Sequence, residues 1–426
     1  MLSISRFAQF PSVRYAKPKY MISKSEGCMD TDKIRRDFPL YESENSDVIY
    51  LDNACQTMRP RQVIDAMNEY YYKFPACGGR SIHRLATQVS MRIDEARERI
   101  ASFLGCEPSN LVFTKNCTES LNIVAKGYPF KKGSSVLTTD MEHNSNHVPW
   151  VSSKIDHKFV KTPAGGIFDF EEYLNNLTRD VSIVSMVHTN NVTGTTIPAK
   201  EIVEAAHDNG SLVMLDGAQS TPHQKIDLKK LDVDMFAFSL HKMLGPSGVG
   251  VLYAKDEILK KMNPLVGGGG GVGTTDYESV TFLPPPEKFE SGLLNYSGII
   301  GSSAAVDYLS RIGMDEIEEH EKSLNALVTS RLKDNDAVSI MNPVDPSLRS
   351  GIFSFNIKGI DSHDIAMICD EIAAIAIRSG MHCAHPFFVS RGINGCARAS
   401  FYLYNTKEEC LKFVDTIEYI VKTFSS

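Results

Sequence analysis

The most regular part of the chain runs from residue 182 to residue 253, where short apolar runs alternate with an amphipathic stretch. Mostly apolar runs at 182–188, 212–216, 234–239 and 249–253 predict strands. A strand covered on both faces loses the polar–apolar alternation of a half-buried one. Apolar residues at helical spacing predict a helix over 199–208, ended by Asn209-Gly210. Strand–helix alternation of this kind implies an α/β fold with a mainly parallel sheet covered by helices. Upstream, the pattern predicts a strand over 48–51 and a helix opened by Pro60, with Val63, Ile64, Met67, Tyr70 and Tyr71 near helical spacing. A second helix over 86–104 carries Val89, Ile93, Ala96 and Ile100 on one face. A strand over 110–114 and a helix beginning at 118–120 follow.

Residues 266–297 break the pattern, with glycine at every position from 267 to 271 and the run Pro284-Pro285-Pro286. They predict a long irregular connection. A glycine run can cradle a phosphate, but a flexible loop is the plainer reading. Beyond it, long helices over 299–311 and 314–334, a strand over 350–357 and an amphipathic helix over 407–423 predict a smaller α+β unit. At 426 residues the chain exceeds what one core serves. The expected division is a large domain over 29–300 and a small C-terminal domain over 301–426, preceded by residues 1–28.

Composition narrows the function classes. A net charge of −7 with no basic run argues against a nucleic-acid surface. No apolar stretch approaches the roughly 20 residues a membrane span needs. The nine cysteines are scattered and form no C-x-x-C pair, which suggests free thiols rather than a disulfide framework or a zinc site. Residues 1–28 differ from the rest: Arg6, Arg14, Lys17, Lys19 and Lys24 face Glu26 alone, among interspersed apolar residues. That composition suits a transit peptide to a mitochondrion or related organelle, or else a plain extension of a cytoplasmic protein.

Chemistry concentrates at two strand ends. Phe236-Ala237-Phe238-Ser239-Leu240-His241-Lys242 carries an apolar run into a lysine, and Leu215-Asp216-Gly217-Ala218-Gln219 carries another into an acid. Taken alone, Lys242 reads as a lysine snorkelling from a strand end. Together, an amine that desolvation makes nucleophilic and an acid at a neighbouring strand end are what pyridoxal 5'-phosphate chemistry needs. Ligands of such sheets bind beyond the carboxyl ends of the strands, where Asp216, Lys242 and Asn190-Asn191 fall.

The order Tyr50-Leu51-Asp52-Asn53-Ala54, Glu142-His143, Asn191-x-x-Gly194-Thr195, Asp216-Gly217-Ala218-Gln219 and Ser239-x-His241-Lys242 resembles the class V, fold type I pyridoxal phosphate enzymes. Arg378-Ser379-Gly380-Met381-His382-Cys383-Ala384-His385-Pro386, with Arg398 to Thr406, is similar to the SUF-type (group II) cysteine desulfurases and their selenocysteine lyase relatives. The resemblance runs from about residue 30 to the C-terminus. It implies that Lys242 forms the Schiff base and serves as acid/base, Asp216 pairs with the pyridinium nitrogen, and Gln219 contacts the ring's phenolic oxygen. It implies that His143 stacks on the ring and that Thr118, Ser239 and His241 hold the phosphate. Asn191 and Arg398 would grip the substrate carboxylate, and Cys383 would take sulfur from L-cysteine or selenium from selenocysteine. A flanking histidine and a nearby arginine would favour the Cys383 thiolate.

The implied product is alanine, with a persulfide on Cys383 passed to a sulfur-acceptor protein that supplies iron–sulfur clusters. The implied assembly is a homodimer that meets around 266–297. A transaminase or lyase with an incidental Cys383 is the alternative activity, and a catalytically silent scaffold the non-enzymatic one. Each nominated residue also has a plain reading: Thr118 as a helix cap, His143 in a solvated polar loop, Arg398 in a structural ion pair. Three positions depart from the family pattern. Leu293 stands where a threonine reaching the neighbouring subunit's phosphate is expected, Cys117 where a threonine often precedes Thr118, and Ser81 where an asparagine often opens the run to His83-Arg84.

Overall fold

A computed structural model describes residues 29–163 and 165–424; the basic segment 1–28 lies outside them. Seven strands form the large sheet in the order Leu111–Thr114, Gly250–Ala254, Met235–Ser239, Leu212–Asp216, Val181–Val187, Ser135–Thr139, Asp156–Val160. Gly250–Ala254 runs antiparallel to both its neighbours, and the other pairings are parallel. Leu111–Thr114 therefore points the same way as Met235–Ser239. Every strand but Gly250–Ala254 opens its carboxyl end on one edge.

Burial explains why these runs are mostly apolar on both faces. Val213, Leu215, Phe236 and Phe238 pack into one core with the helices Arg84–Leu104, Ala199–Asn209 and Tyr296–Ile312. Their chain neighbours Met214, Met235 and Ala237 pack into a second core on the opposite face, with Leu121, Val124 and Trp150. Alternate residues thus serve opposite faces, and both faces are dry.

A second sheet is antiparallel throughout, in the order Val338–Ile340, Ile352–Ile357, Cys396–Ser400, Arg378–Gly380. Residues of the helices Met314–Leu332, Ser362–Ala373 and Lys407–Phe424 complete its core. Ile49 and Leu51 belong to this core although they lie early in the chain. Ile49–Tyr50 pairs in parallel with Ile375–Ala376, and Asp52 bridges to Ser400. Residue 300 falls inside the helix Tyr296–Ile312, which packs on Arg61–Lys73 and Arg84–Leu104. No helix of the described residues is long and apolar enough to cross a membrane.

The stretch 266–297 is less irregular than its composition predicts. It contains the antiparallel hairpin Val272–Thr275 with Val280–Phe282, whose Thr274 and Thr281 hydroxyls lie 2.6 Å apart. The hairpin is exposed, so no apolar alternation announces it.

Gly250 controls how closely the sheet approaches the site. A Cβ there would lie 2.5 Å from the Asn116 Cα, in the turn that begins the helix Cys117–Gly127. Glycine in a strand interior often marks such a backbone approach. Gly250→Ala is expected to cost about 1–3 kcal/mol through overpacking, seen as a lower urea midpoint at unchanged m. An unchanged midpoint would show that the turn moves aside freely.

Candidate active site

Asn116 follows the first strand of the large sheet and caps the helix Cys117–Gly127, its side chain accepting from Glu119 N at 2.9 Å. Thr118 is therefore not the cap. Its hydroxyl instead meets Ser145 Oγ at 2.6 Å, and Ser145 Oγ lies 2.9 Å from His143 Nδ1. The Cys117 amide donates to Ser239 Oγ at 2.8 Å, which ties this helix start to the end of the strand Met235–Ser239. First-turn amides and the positive end of a helix favour an anion here.

His143 caps the helix Asn144–Ser152, its Nδ1 accepting from Ser145 N at 3.1 Å. That bond assigns the proton of the neutral ring to Nε2. Burial, and then the positive charges of Lys242, Arg398 and Arg378, push its pKa down to about 3. His143 is a half-buried, neutral ring rather than part of a solvated loop.

Asp216 ends its strand at 3% exposure, its Oδ1 accepting from Ala218 N at 2.9 Å and from the Cys117 thiol at 3.3 Å. Burial raises the Asp216 carboxyl above its usual range and raises the Cys117 thiol well above its own, so Cys117 keeps its proton and donates it. Lys242 lies in the short turn Leu240–Lys242 that follows the strand Met235–Ser239. Its pKa is lowered by burial, with Asp216 opposing the shift. Among the described residues its amine has no hydrogen-bond or ion-pair partner. His241 in the same turn is pushed down to about 4 by burial. The Gln219 amide donates to Ala54 O at 2.6 Å, while its Oε1 is buried without a partner.

The second sheet and the turn beside it bring Arg398, His382 and Cys383 against Asn191, which follows the strand Val181–Val187. Arg398, in the strand Cys396–Ser400, donates to Asn191 O at 2.9 Å and pairs with Asp52 at 3.2 Å. The ion pair foreseen for Arg398 is present, yet its Nε remains buried and unpartnered. Asn191 donates to His382 O at 2.8 Å, and its Oδ1 is likewise unpartnered. His382 and Cys383 both adopt left-handed backbone, φ 48° and 55°, which aims this turn at the large domain. The Cys383 carbonyl accepts from Asn144 N at 2.6 Å.

All the nominated residues, Thr118, His143, Asn191, Asp216, Gln219, Ser239, His241, Lys242, Cys383 and Arg398, line one cavity of about 240 Å³. Cys55, Asn116, Ser145, Arg378 and His382 line it as well. Arg378 and His382 belong to the motif around Cys383, and Cys55 directly follows Asp52-Asn53-Ala54, so position beside a motif was the available signal. The neighbours expected to favour a Cys383 thiolate are arranged otherwise. Burial pushes His382 down to about 2, its Nε2 faces the Cys396 carbonyl at 3.0 Å, and the Arg378 guanidinium is turned to the Cys55 sulfur. A neutral His382 brings no positive charge to the Cys383 sulfur. With its pKa near 3, His143 should show no imidazole titration between pH 5 and 8 by nitrogen-15 NMR. A midpoint near 6.5 would mean that the ring is open to water.

Comparison with known proteins places this geometry. The chain matches the aminotransferase class-V family over residues 49–413. It is 36% identical over 409 residues to a protein named as a probable cysteine desulfurase of Halobacterium salinarum, covering 93% of this chain and 98% of the relative. The apo structure of a cysteine desulfurase from Thermococcus onnurineus superposes with a TM-score of 0.88 at 35% identity, over 94% of this chain and 100% of that one. A cysteine desulfurase of Escherichia coli superposes with a TM-score of 0.85 at 30% identity, over 92% and 98%. The sheet order, the cavity at its carboxyl edge and these matches agree: the chain belongs to the aminotransferase class-V family.

Proposed function

We propose that this protein is a pyridoxal 5'-phosphate-dependent cysteine desulfurase that converts L-cysteine to L-alanine and carries the sulfur as a persulfide on Cys383. The observation that carries the reading is one cavity lined by an unpaired amine, a buried carboxyl and a thiol: Lys242, Asp216 and Cys383. The unpartnered Gln219 Oε1, Asn191 Oδ1 and Arg398 Nε argue for a polar molecule, because buried polar atoms are rarely left without partners. An aromatic aldehyde bearing a phosphate suits this set. Lys242 would attach it, Asp216 would face its ring nitrogen and Gln219 its phenolic oxygen, and His143 would cover the ring. Thr118, Ser239, His241 and the first-turn amides of the helix Cys117–Gly127 would hold the phosphate. When bound, the cofactor supplies an electron sink for negative charge at the substrate's α-carbon.

The chain's own residues then divide the work. Arg398, already fixed by Asp52 and Asn191, is placed to take the substrate carboxylate through its guanidinium edge. The Lys242 amine, its pKa lowered by burial, is placed to move the proton at the α-carbon. Cys383 attacks the substrate sulfur. The carbon–sulfur bond breaks, a sulfur–sulfur bond forms, the methyl group of alanine takes the proton given up by the Cys383 thiol, and Lys242 returns the α-carbon proton. An outside thiol then collects the sulfur by exchange.

A protein acceptor feeding iron–sulfur cluster assembly is the proposed destination. A homodimer is the proposed assembly, supported by the exposed Tyr72, Ile82, Tyr277 and Leu293. The basic segment 1–28 supports delivery to a mitochondrion or related organelle. The test is alanine release from L-cysteine with a reductant present. Wild type should turn over, and Cys383→Ser should lose activity by about two or more powers of ten, since a serine hydroxyl is barely ionised near neutrality. Near-normal alanine release from Cys383→Ser would remove Cys383 from the mechanism and favour a lyase or transaminase.

A further inference from the structure

Two thiols face the cavity besides that of Cys383, and the structure treats them differently. Cys117 is buried and its thiol is committed to Asp216. Cys55 is half-buried, lines the same cavity as Cys383, and its sulfur accepts a bond from Arg378 Nη1. Arg378 lies five residues before Cys383 and sits directly across the antiparallel pairing from Arg398. Arg398 is paired with Asp52, whereas Arg378 has no carboxylate within ion-pair distance among the described residues. Its guanidinium is thus free to hold negative sulfur. Cys55 is itself fixed by its surroundings: its amide donates to Asp52 O at 3.1 Å, and the preceding carbonyl of Ala54 accepts from Gln219. The buried Gln219 Oε1 and Asn191 Oδ1, whose residues line the same cavity, have no partner.

We propose that Cys55 is a second sulfur-carrying residue of the active site, which takes the sulfur from Cys383 and holds it beside Arg378 until an outside thiol collects it. The inference rests on the cysteine desulfurase reading and extends it. The Cys55 thiolate attacks the outer sulfur of the Cys383 persulfide. The sulfur–sulfur bond to Cys383 breaks, a new one to Cys55 forms, and Cys383 departs as a thiolate that takes up the proton Cys55 released. The exchange is isoelectronic and needs no oxidant or reductant. Its consequence is storage. With Cys383 returned to its thiol form, a second L-cysteine can react before any acceptor arrives.

The experiment loads the full-length holoenzyme with sulfur-labelled L-cysteine without reductant, counts the alanine released per site, alkylates the protein and maps the label by mass spectrometry. Wild type should release about two alanines per site in the initial burst, with persulfide on the peptides of both Cys55 and Cys383. Cys55→Ala and Cys55→Ser should release about one, with all label on Cys383; using both variants guards against a packing defect in either. Label confined to Cys383 with the same burst in wild type and both variants would overturn the relay while leaving the desulfurase reading intact. So would a disulfide between Cys55 and Cys383, which would mean attack on the inner sulfur and loss of hydrosulfide. Label on Cys55 in Cys383→Ser would overturn the order of transfer. Absence of alanine and of label in wild type would overturn the desulfurase reading, and the relay with it.

Discussion

The constraint on which the rest depends is the placing of a half-buried Lys242 beside the buried Asp216 at adjacent strand ends. Each charge is unfavourable there alone, and burial moves the two pKa values towards each other, the amine down and the carboxyl up. The sheet fixes them from both sides. Met235–Ser239 and Leu212–Asp216 pair in register, with Asp216 opposite Ala237, and the residues before each are fully buried in two cores. A reactive amine results from packing, not from a special side chain.

The second requirement is that the small domain reach this edge. It does so through segments far apart in sequence: Ile49–Tyr50 beside Ile375–Ala376, and Asp52 beside both Ser400 and Arg398. The large sheet supplies the amine, the acid and the helix start. The small domain supplies Arg398, Arg378 and the left-handed turn bearing Cys383. In the proposed reading, the groups that act on carbon thus come from one sheet and the thiol that acts on sulfur from beside the other, around one cavity.

Legibility in the sequence followed burial. The strands Val181–Val187, Leu212–Asp216 and Met235–Ser239 announced themselves because both their faces are dry, and the long amphipathic helices because one face is. Ser135–Thr139 was missed because three of its five residues are serine or threonine, and Asp156–Val160 because it is a polar edge strand whose Lys158 pairs with Asp180. The residues that line the cavity were readable because each sits at a strand end or within a motif. Their partners were less so. That Arg378 would meet Cys55 rather than Cys383, and that His382 would be neutral, depends on contacts spanning most of the chain, such as the separation of 323 positions from Cys55 to Arg378.

The central claim is that the lone amine at the carboxyl edge of the sheet is the attachment point for the cofactor. Reconstitution with pyridoxal 5'-phosphate, borohydride reduction and peptide mapping test it directly. The account predicts a phosphopyridoxyl group on the peptide carrying Lys242 and on no other. Reduction that marks a different lysine, or none, would contradict it.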